Sequence, residues 1–206
     1  MTQVLIDGEG DLTFLFAHGA GAGMEHEFME QVAKGLSSLG IRVVRFNFPY
    51  MVKRSEDGKK RPPDRAPKLL EAYQTILEDQ ANGKPVVIGG KSMGGRMASL
   101  MSESELVSGI ACLGFPFHPP GKPENYKGDH LATIAKSTLI LQGERDTFGK
   151  KEECADFAFS KNVALTFIPD GDHSFKPRKS SGHTQDSNIE LAVSHLERFI
   201  RSCYEK

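Results

Sequence analysis

Apolar residues along this chain follow two rhythms that alternate from one end to the other. Short unbroken apolar runs predict strands buried on both faces, and apolar positions recurring every three or four residues predict helices packed along one side. Thr13 to Ala17 is the first run, and it stops at the glycine-rich turn His18-Gly19-Ala20-Gly21-Ala22-Gly23. Phe28, Val32, Leu36 and Leu39 then form a helical stripe over 27–39, ended by Gly40. A second strand is predicted over 41–48, ended by Pro49. The polar stretch 51–67, containing Lys59-Lys60-Arg61-Pro62-Pro63, has the composition of a loop. Helical spacing resumes over 69–77 and Gly83 closes it. Pro85-Val86-Val87-Ile88-Gly89 is a further strand that runs directly into Gly90-Lys91-Ser92, with a helix over 93–101 behind it. The second half predicts strands at 106–113, 137–141 and 163–168, and helices at 152–159 and 188–201. A proline- and glycine-rich connection covers 115–129.

Strands alternating with helices imply an α/β fold, a mostly parallel sheet with helices on both faces. No sequence repeat or linker divides residues 1–206, so one domain is expected, and the intervals between strands are too short to hold a cap domain. Composition adds little to this and removes several functions. Lys and Arg total 26 against 27 Asp and Glu, so a net charge of -1 gives no basis for nucleic acid or an anionic membrane as partner. Three cysteines, Cys112, Cys154 and Cys203, are too few and too scattered for a disulfide framework or a zinc cluster. An odd count suits a reducing compartment. No signal peptide pattern and no apolar stretch of about 20 residues is seen, so a cytoplasmic protein is expected. Monomer and homodimer both remain open.

The chemistry begins at Gly90-Lys91-Ser92-Met93-Gly94. A nucleophilic serine must project from a sharp, strained turn between a strand and a helix, and glycines two before and two after it keep a Cβ from striking the neighbouring elements. As a string, Gly-x-Ser-x-Gly says little. Between a buried strand and a helix it says much more. The overlapping match to the end of a phosphate-binding loop fails, because that loop needs glycine where Pro85 stands. A dinucleotide fingerprint at Gly19-Ala20-Gly21-Ala22-Gly23 fails too, since Met24 occupies the place of the last glycine and Asn47 ends the next strand.

Triads built on such an elbow have the chain order serine, acid, histidine, the last two on loops after later strands. The strand at 137–141 leads into Gln142-Gly143-Glu144-Arg145-Asp146, and the strand at 163–168 into Pro169-Asp170-Gly171-Asp172-His173. Asp146 and His173 are therefore the candidate acid and base, with Glu144 a weaker substitute for the acid. Of the seven histidines, His118 and His130 precede the acid, while His183 and His195 fall in a polar stretch and on the last helix. The two oxyanion donors are expected at the backbone N–H of Met93 and of Ala20, with His18 a structural anchor of its turn. Asp170, Asp172 and His173 could ligate a metal, but no second ligand cluster supports one. No metal and no cofactor are expected.

These residues resemble the small lid-less α/β-hydrolases over about 12–200. The resemblance rests on His18-Gly19-Ala20-Gly21, the elbow through Arg96, Gly114-Phe115-Pro116-Phe117-His118-Pro119, Gly143-x-x-Asp146 and Asp172-His173-Ser174-Phe175. The Gly-Phe-Pro-Phe-His-Pro stretch is similar to the branch of testis-expressed and NSL-complex-subunit hydrolase-like proteins, with dienelactone hydrolases more distant. The resemblance implies an α/β-hydrolase fold and a triad of Ser92, Asp146 and His173, and it does not supply a substrate; a small-molecule ester, thioester or other acyl substrate is the expectation from the triad chemistry. Dienelactone hydrolases use a cysteine nucleophile, so Ser92 separates this chain from their substrate. An acyltransferase, and an interaction module that keeps the fold without catalysis, stay open. Phe115 and Phe117 are either an apolar wall of the acyl pocket or core packing. The segment 51–68 carries seven basic against three acidic side chains, which suits either a mobile gate for an anionic acyl substrate or a solvated loop.

Overall fold

The computed structural model describes residues 3–205. Seven strands form one sheet in the order β1-β3-β2-β4-β5-β6-β7. They are β1 (Val4–Asp7), β2 (Leu12–Ala17), β3 (Ile41–Phe46), β4 (Val86–Lys91), β5 (Val107–Leu113), β6 (Thr138–Gly143) and β7 (Val163–Ile168). Only β1 runs antiparallel, paired with β3; the other neighbours are parallel. The helices are α1 (Glu27–Ser38), α2 (Pro49–Asp57), α3 (Ala66–Ala81), α4 (Met93–Ser99), α5 (Lys151–Cys154) and α6 (Gln185–Tyr204).

Two apolar clusters explain why the central strands are continuous apolar runs. On one face Leu15, Phe46, Ile88 and Ile140 pack with Tyr73 and Leu77 of α3 and Met97 of α4. On the other, Phe14, Phe16, Val87 and Leu141 pack with Val32 and Leu36 of α1 and Leu196 and Ile200 of α6. Successive strand side chains alternate between the clusters, so both faces are dry and the sheet is mostly parallel, with helices on both sides. No inserted domain lies over the sheet among the described residues. No helix among them is long and apolar enough to cross a membrane.

The sheet differs from the sequence expectation at one edge, where the four-residue β1 carries no periodicity long enough to register. A larger correction concerns 51–67. Its first part is the helix α2, and α3 begins at Ala66 rather than 69. Pro49 ends β3 but also occupies the first turn of α2, where its fixed φ suits a helix and its missing N–H costs nothing. Gly58, in left-handed conformation at φ 69°, caps the other end. The helix expected at 152–159 is only the single turn α5.

Candidate active site

The parallel strands end in loops on one edge of the sheet, and Ser92, Asp146 and His173 meet there. β4 turns into α4 at Ser92, whose φ of 52° and ψ of -119° lie outside the ordinary regions for a residue with a side chain. The elbow closes so tightly that a Cβ on Gly90 would lie 2.5 Å from the carbonyl carbon of Gly94. One on Gly94 would lie 2.5 Å from the carbonyl oxygen of Ala17. Glycine at both positions is thus a steric requirement of presenting Ser92.

Ser92 Oγ lies 2.8 Å from His173 Nε2, and His173 Nδ1 lies 2.8 Å from Asp146 Oδ2. Asp146 is fully buried. Its Oδ1 accepts the Phe148 N–H at 2.9 Å, and its Oδ2 also accepts from Gln142 Nε2 at 3.1 Å. A buried carboxylate needs such donors to satisfy its oxygens away from water. Burial is the main cause that lowers the His173 imidazole below its ordinary value; Asp146 opposes the shift and Lys91 adds to it. Phe148 lies over the imidazole with ring centroids 4.2 Å apart, which fixes the ring plane. The loop carrying His173 is itself tied down: Asp170 accepts from the backbone N–H and guanidinium of Arg178, and Arg145 donates to its carbonyl.

Glu144, the substitute acid, is not near His173. It accepts the Asp170 N–H at 2.8 Å and pairs with Lys151, so it joins the two loops instead. Asp172 caps the Ser174 and Lys176 N–H groups. No group of three metal-ligating side chains occurs among the described residues.

The turn after β2 approaches the elbow from the other side. His18 is fully buried; its Nε2 accepts the Phe48 N–H at 3.0 Å and its Nδ1 donates to the Gly19 carbonyl at 2.7 Å. Burial pushes its pKa down to about 4, so the ring is neutral and structural. Tyr50, at the start of α2, donates to the Ala20 carbonyl at 2.9 Å and lies 3.3 Å from that of Gly19. Each trans peptide has its N–H opposite its carbonyl. Holding Gly19 O therefore turns the Ala20 N–H the opposite way. Met93 is the first residue of α4, where an N–H has no intrahelical partner. An open cavity of about 290 Å³ is lined by Ala20, Phe28, Met29, Lys91, Ser92, Phe148 and His173, among others.

Phe115 and Phe117 do not line this cavity. Both are fully buried, Phe115 against Phe117 at 4.8 Å and Phe117 against Phe157 at 4.9 Å between ring centroids, so they belong to the core. Their backbone follows β5 and turns below the sheet edge, where Gln142 holds Phe115 at both its N–H and its carbonyl. Four residues that shape the site were not singled out as such by sequence: Tyr50, Lys91, Gln142 and Phe148. Gln142 and Lys91 are polar residues at the ends of otherwise apolar strands, and that was the available signal.

A mostly parallel sheet with a strained serine elbow and a hydrogen-bonded histidine and aspartate behind it is the architecture of α/β-hydrolases. The chain belongs to that class by sequence as well: residues 10–201 match the family model of an alpha/beta hydrolase domain, and it is a member of this family. A search of curated protein sequences gives no significant match. Among solved structures, Est1E of Butyrivibrio proteoclasticus with bound ferulic acid is similar at a TM-score of 0.72 and 18% identity, covering 99% of this chain and 96% of that one. An alpha-beta serine hydrolase homologue from Coxiella burnetii matches at 0.69 and 19%, covering 95% and 89%. XC6422 of Xanthomonas campestris, an α/β serine hydrolase without lid, matches at 0.65 and 21%, covering 97% and 88%. At these identities the likeness concerns the fold.

Proposed function

We propose that this protein is a serine hydrolase of small carboxylic esters or thioesters, with Ser92 as nucleophile, His173 as base and Asp146 as orienting acid. The observation that carries it is the unbroken line from Ser92 Oγ through His173 to buried Asp146, opening on a cavity. The Gly114-Phe115-Pro116-Phe117-His118-Pro119 stretch supports a place in the testis-expressed and NSL-complex-subunit branch. Est1E with ferulic acid bound, and XC6422, a serine hydrolase without lid, share the fold and support the same chemistry.

In this mechanism Ser92 Oγ bonds to the substrate carbonyl carbon while His173 Nε2 takes the hydroxyl proton. Asp146 holds the Nδ1–H tautomer and stabilises the imidazolium. The oxyanion receives hydrogen bonds from the N–H groups of Met93 and Ala20. The tetrahedral adduct then collapses: the carbon–oxygen or carbon–sulfur bond to the leaving group breaks, and that group departs with the proton from His173. Water repeats the sequence on the acyl-enzyme, His173 taking its proton and returning it to Ser92 as the carboxylic acid leaves. The cavity is open, so water reaches the acyl-enzyme directly.

A fluorophosphonate probe tests the reading. Labelling of the folded wild type, lost in Ser92→Ala with an unchanged circular-dichroism spectrum, is the expected result. A folded wild type that does not label would leave an interaction module with a hydrolase fold in its place.

A further inference from the structure

Lys91 is the one feature of the cavity that hydrolysis of a plain ester does not use. It is the last residue of β4, directly before Ser92, and its side chain is more than nine-tenths buried. Its ammonium donates to the His173 carbonyl oxygen and stands 5.5 Å from the centroid of the Phe28 ring. His173, Phe28 and Lys91 all line the cavity.

An ammonium has three N–H donors, and the His173 carbonyl is the single hydrogen-bond acceptor the described residues offer it. No carboxylate among them forms an ion pair with it. The two nearby acids are committed elsewhere: Asp146 to His173, Gln142 and the Phe148 N–H, and Asp172 to the N–H groups of Ser174 and Lys176. They act on Lys91 only through space. A buried cation without a contacting anion is costly, and methionine would fill the same volume without that cost. Anchoring one carbonyl needs a donor, which a neutral amide also supplies. It does not need a charge.

Resting on the hydrolase reading above, we infer that Lys91 is a substrate-binding residue that pairs with a carboxylate carried by the ester, so that the protein selects esters or thioesters bearing an acid group a few bonds from the scissile carbonyl. The apolar lining supplied by Phe28, Met29 and Phe148 accommodates the chain between the two groups, and the ammonium terminates it. Burial lowers its pKa to about 8, which leaves it largely charged at neutral pH. The Lys91 side chain is itself largely withdrawn from solvent, so such a pair is stronger there than between two exposed side chains.

The test compares matched esters. Monomethyl glutarate against methyl pentanoate places the carboxylate on the acyl side. Acetoxyacetate against propyl acetate places it on the alcohol side. Wild type is expected to favour the anionic member of at least one pair by tenfold or more in kcat/KM. That ratio should fall by at least tenfold in Lys91→Gln, which keeps a donor for the His173 carbonyl, and also in Lys91→Met. A wild-type ratio near one, or one unchanged in both variants, overturns the inference and leaves the hydrolase reading intact. Should Ser92 label with fluorophosphonate while none of these esters turns over, protection by glutarate decides. Slower labelling in wild type but not in Lys91→Gln supports the inference, and no protection overturns it. Absence of both labelling and turnover overturns the hydrolase reading, and the inference with it.

Discussion

At the scale of the residue, the site is a set of polar groups made possible by burial. Three donors satisfy the buried carboxylate of Asp146, and desolvation outweighs that acidic partner in lowering the His173 imidazole below its ordinary value. Asp146→Asn keeps the shape but favours the wrong imidazole tautomer; kcat is expected to fall by about 10⁴ with little change in KM, measured on any ester the wild type turns over. The pH profile follows from the same environment. The base must be unprotonated, and its pKa is lowered, so the acid limb of kcat/KM should have its midpoint below 6.5, the ordinary value for histidine. Lys91 contributes to that lowering, and Lys91→Gln should move the limb to higher pH. An acid limb at or above the ordinary value would contradict the assignment of the base. The meeting of Ser92, Asp146 and His173 at one edge of the sheet was legible in the sequence, because each follows an apolar run and the three come in a fixed order. Phe148 was not, since its stacking on His173 depends on a distance between two loops that no spacing encodes, and Gln142 showed only as a polar residue ending an apolar strand.

Elements decide how these groups are presented. The strand periodicity made the sheet legible, because strands buried on both faces are continuous apolar runs, whereas α2 was hidden by its own composition. Its outer face carries Lys53, Arg54 and Glu56, and only Tyr50 and Met51 are buried, too few to set a helical stripe. Arg61 pairs with Asp57 and Lys68 with Asp64, so two of the three acidic side chains of this segment are taken up locally and its basic excess stays. What α2 contributes is a hydroxyl. Tyr50 donates to the Ala20 carbonyl and stands 3.3 Å from that of Gly19 in the turn after β2, and Arg54 donates to the Gly21 carbonyl at 3.0 Å. Tyr50→Phe removes the hydroxyl and keeps the packing of its ring against His18. Stability should drop by about 1 kcal/mol, as for a single buried hydrogen bond. The acyl-transfer step should slow more than this alone suggests, by roughly tenfold, because the turn that carries Ala20, the proposed oxyanion donor, is held less firmly. A variant with lowered melting temperature and wild-type kcat would show that Tyr50 serves stability alone.

For the whole molecule, the same burial that builds the site couples folding to pH. His18 sits at the centre of the edge where β2, β3, α2 and the elbow converge, and its Nε2 must stay unprotonated to accept the Phe48 N–H. In the folded chain its pKa is about 4, against 6.5 for the free imidazole. The unfolded chain therefore binds a proton here that the folded chain refuses. The resulting stability is complete above about pH 6.5 and is lost progressively as pH falls toward 4. A difference of this size corresponds to about 3 kcal/mol, a large share of what holds a single domain together. His173, lowered in the same sense, adds to the decline. The clamps at Asp170 and Glu144 act in the same direction only in the more acidic range where carboxylates titrate, because their pKa values are lowered from carboxylate values. Urea unfolding between pH 7 and 4.5 should thus show a falling free energy with a slope near one proton in excess of the remaining histidines, about 1.4 kcal/mol per pH unit. In His18→Gln, whose amide supplies both a donor and an acceptor, the protein should be less stable at pH 7 yet lose that share of the slope. An unchanged slope in a folded His18→Gln protein would mean that His18 is not the group that ties the fold to pH.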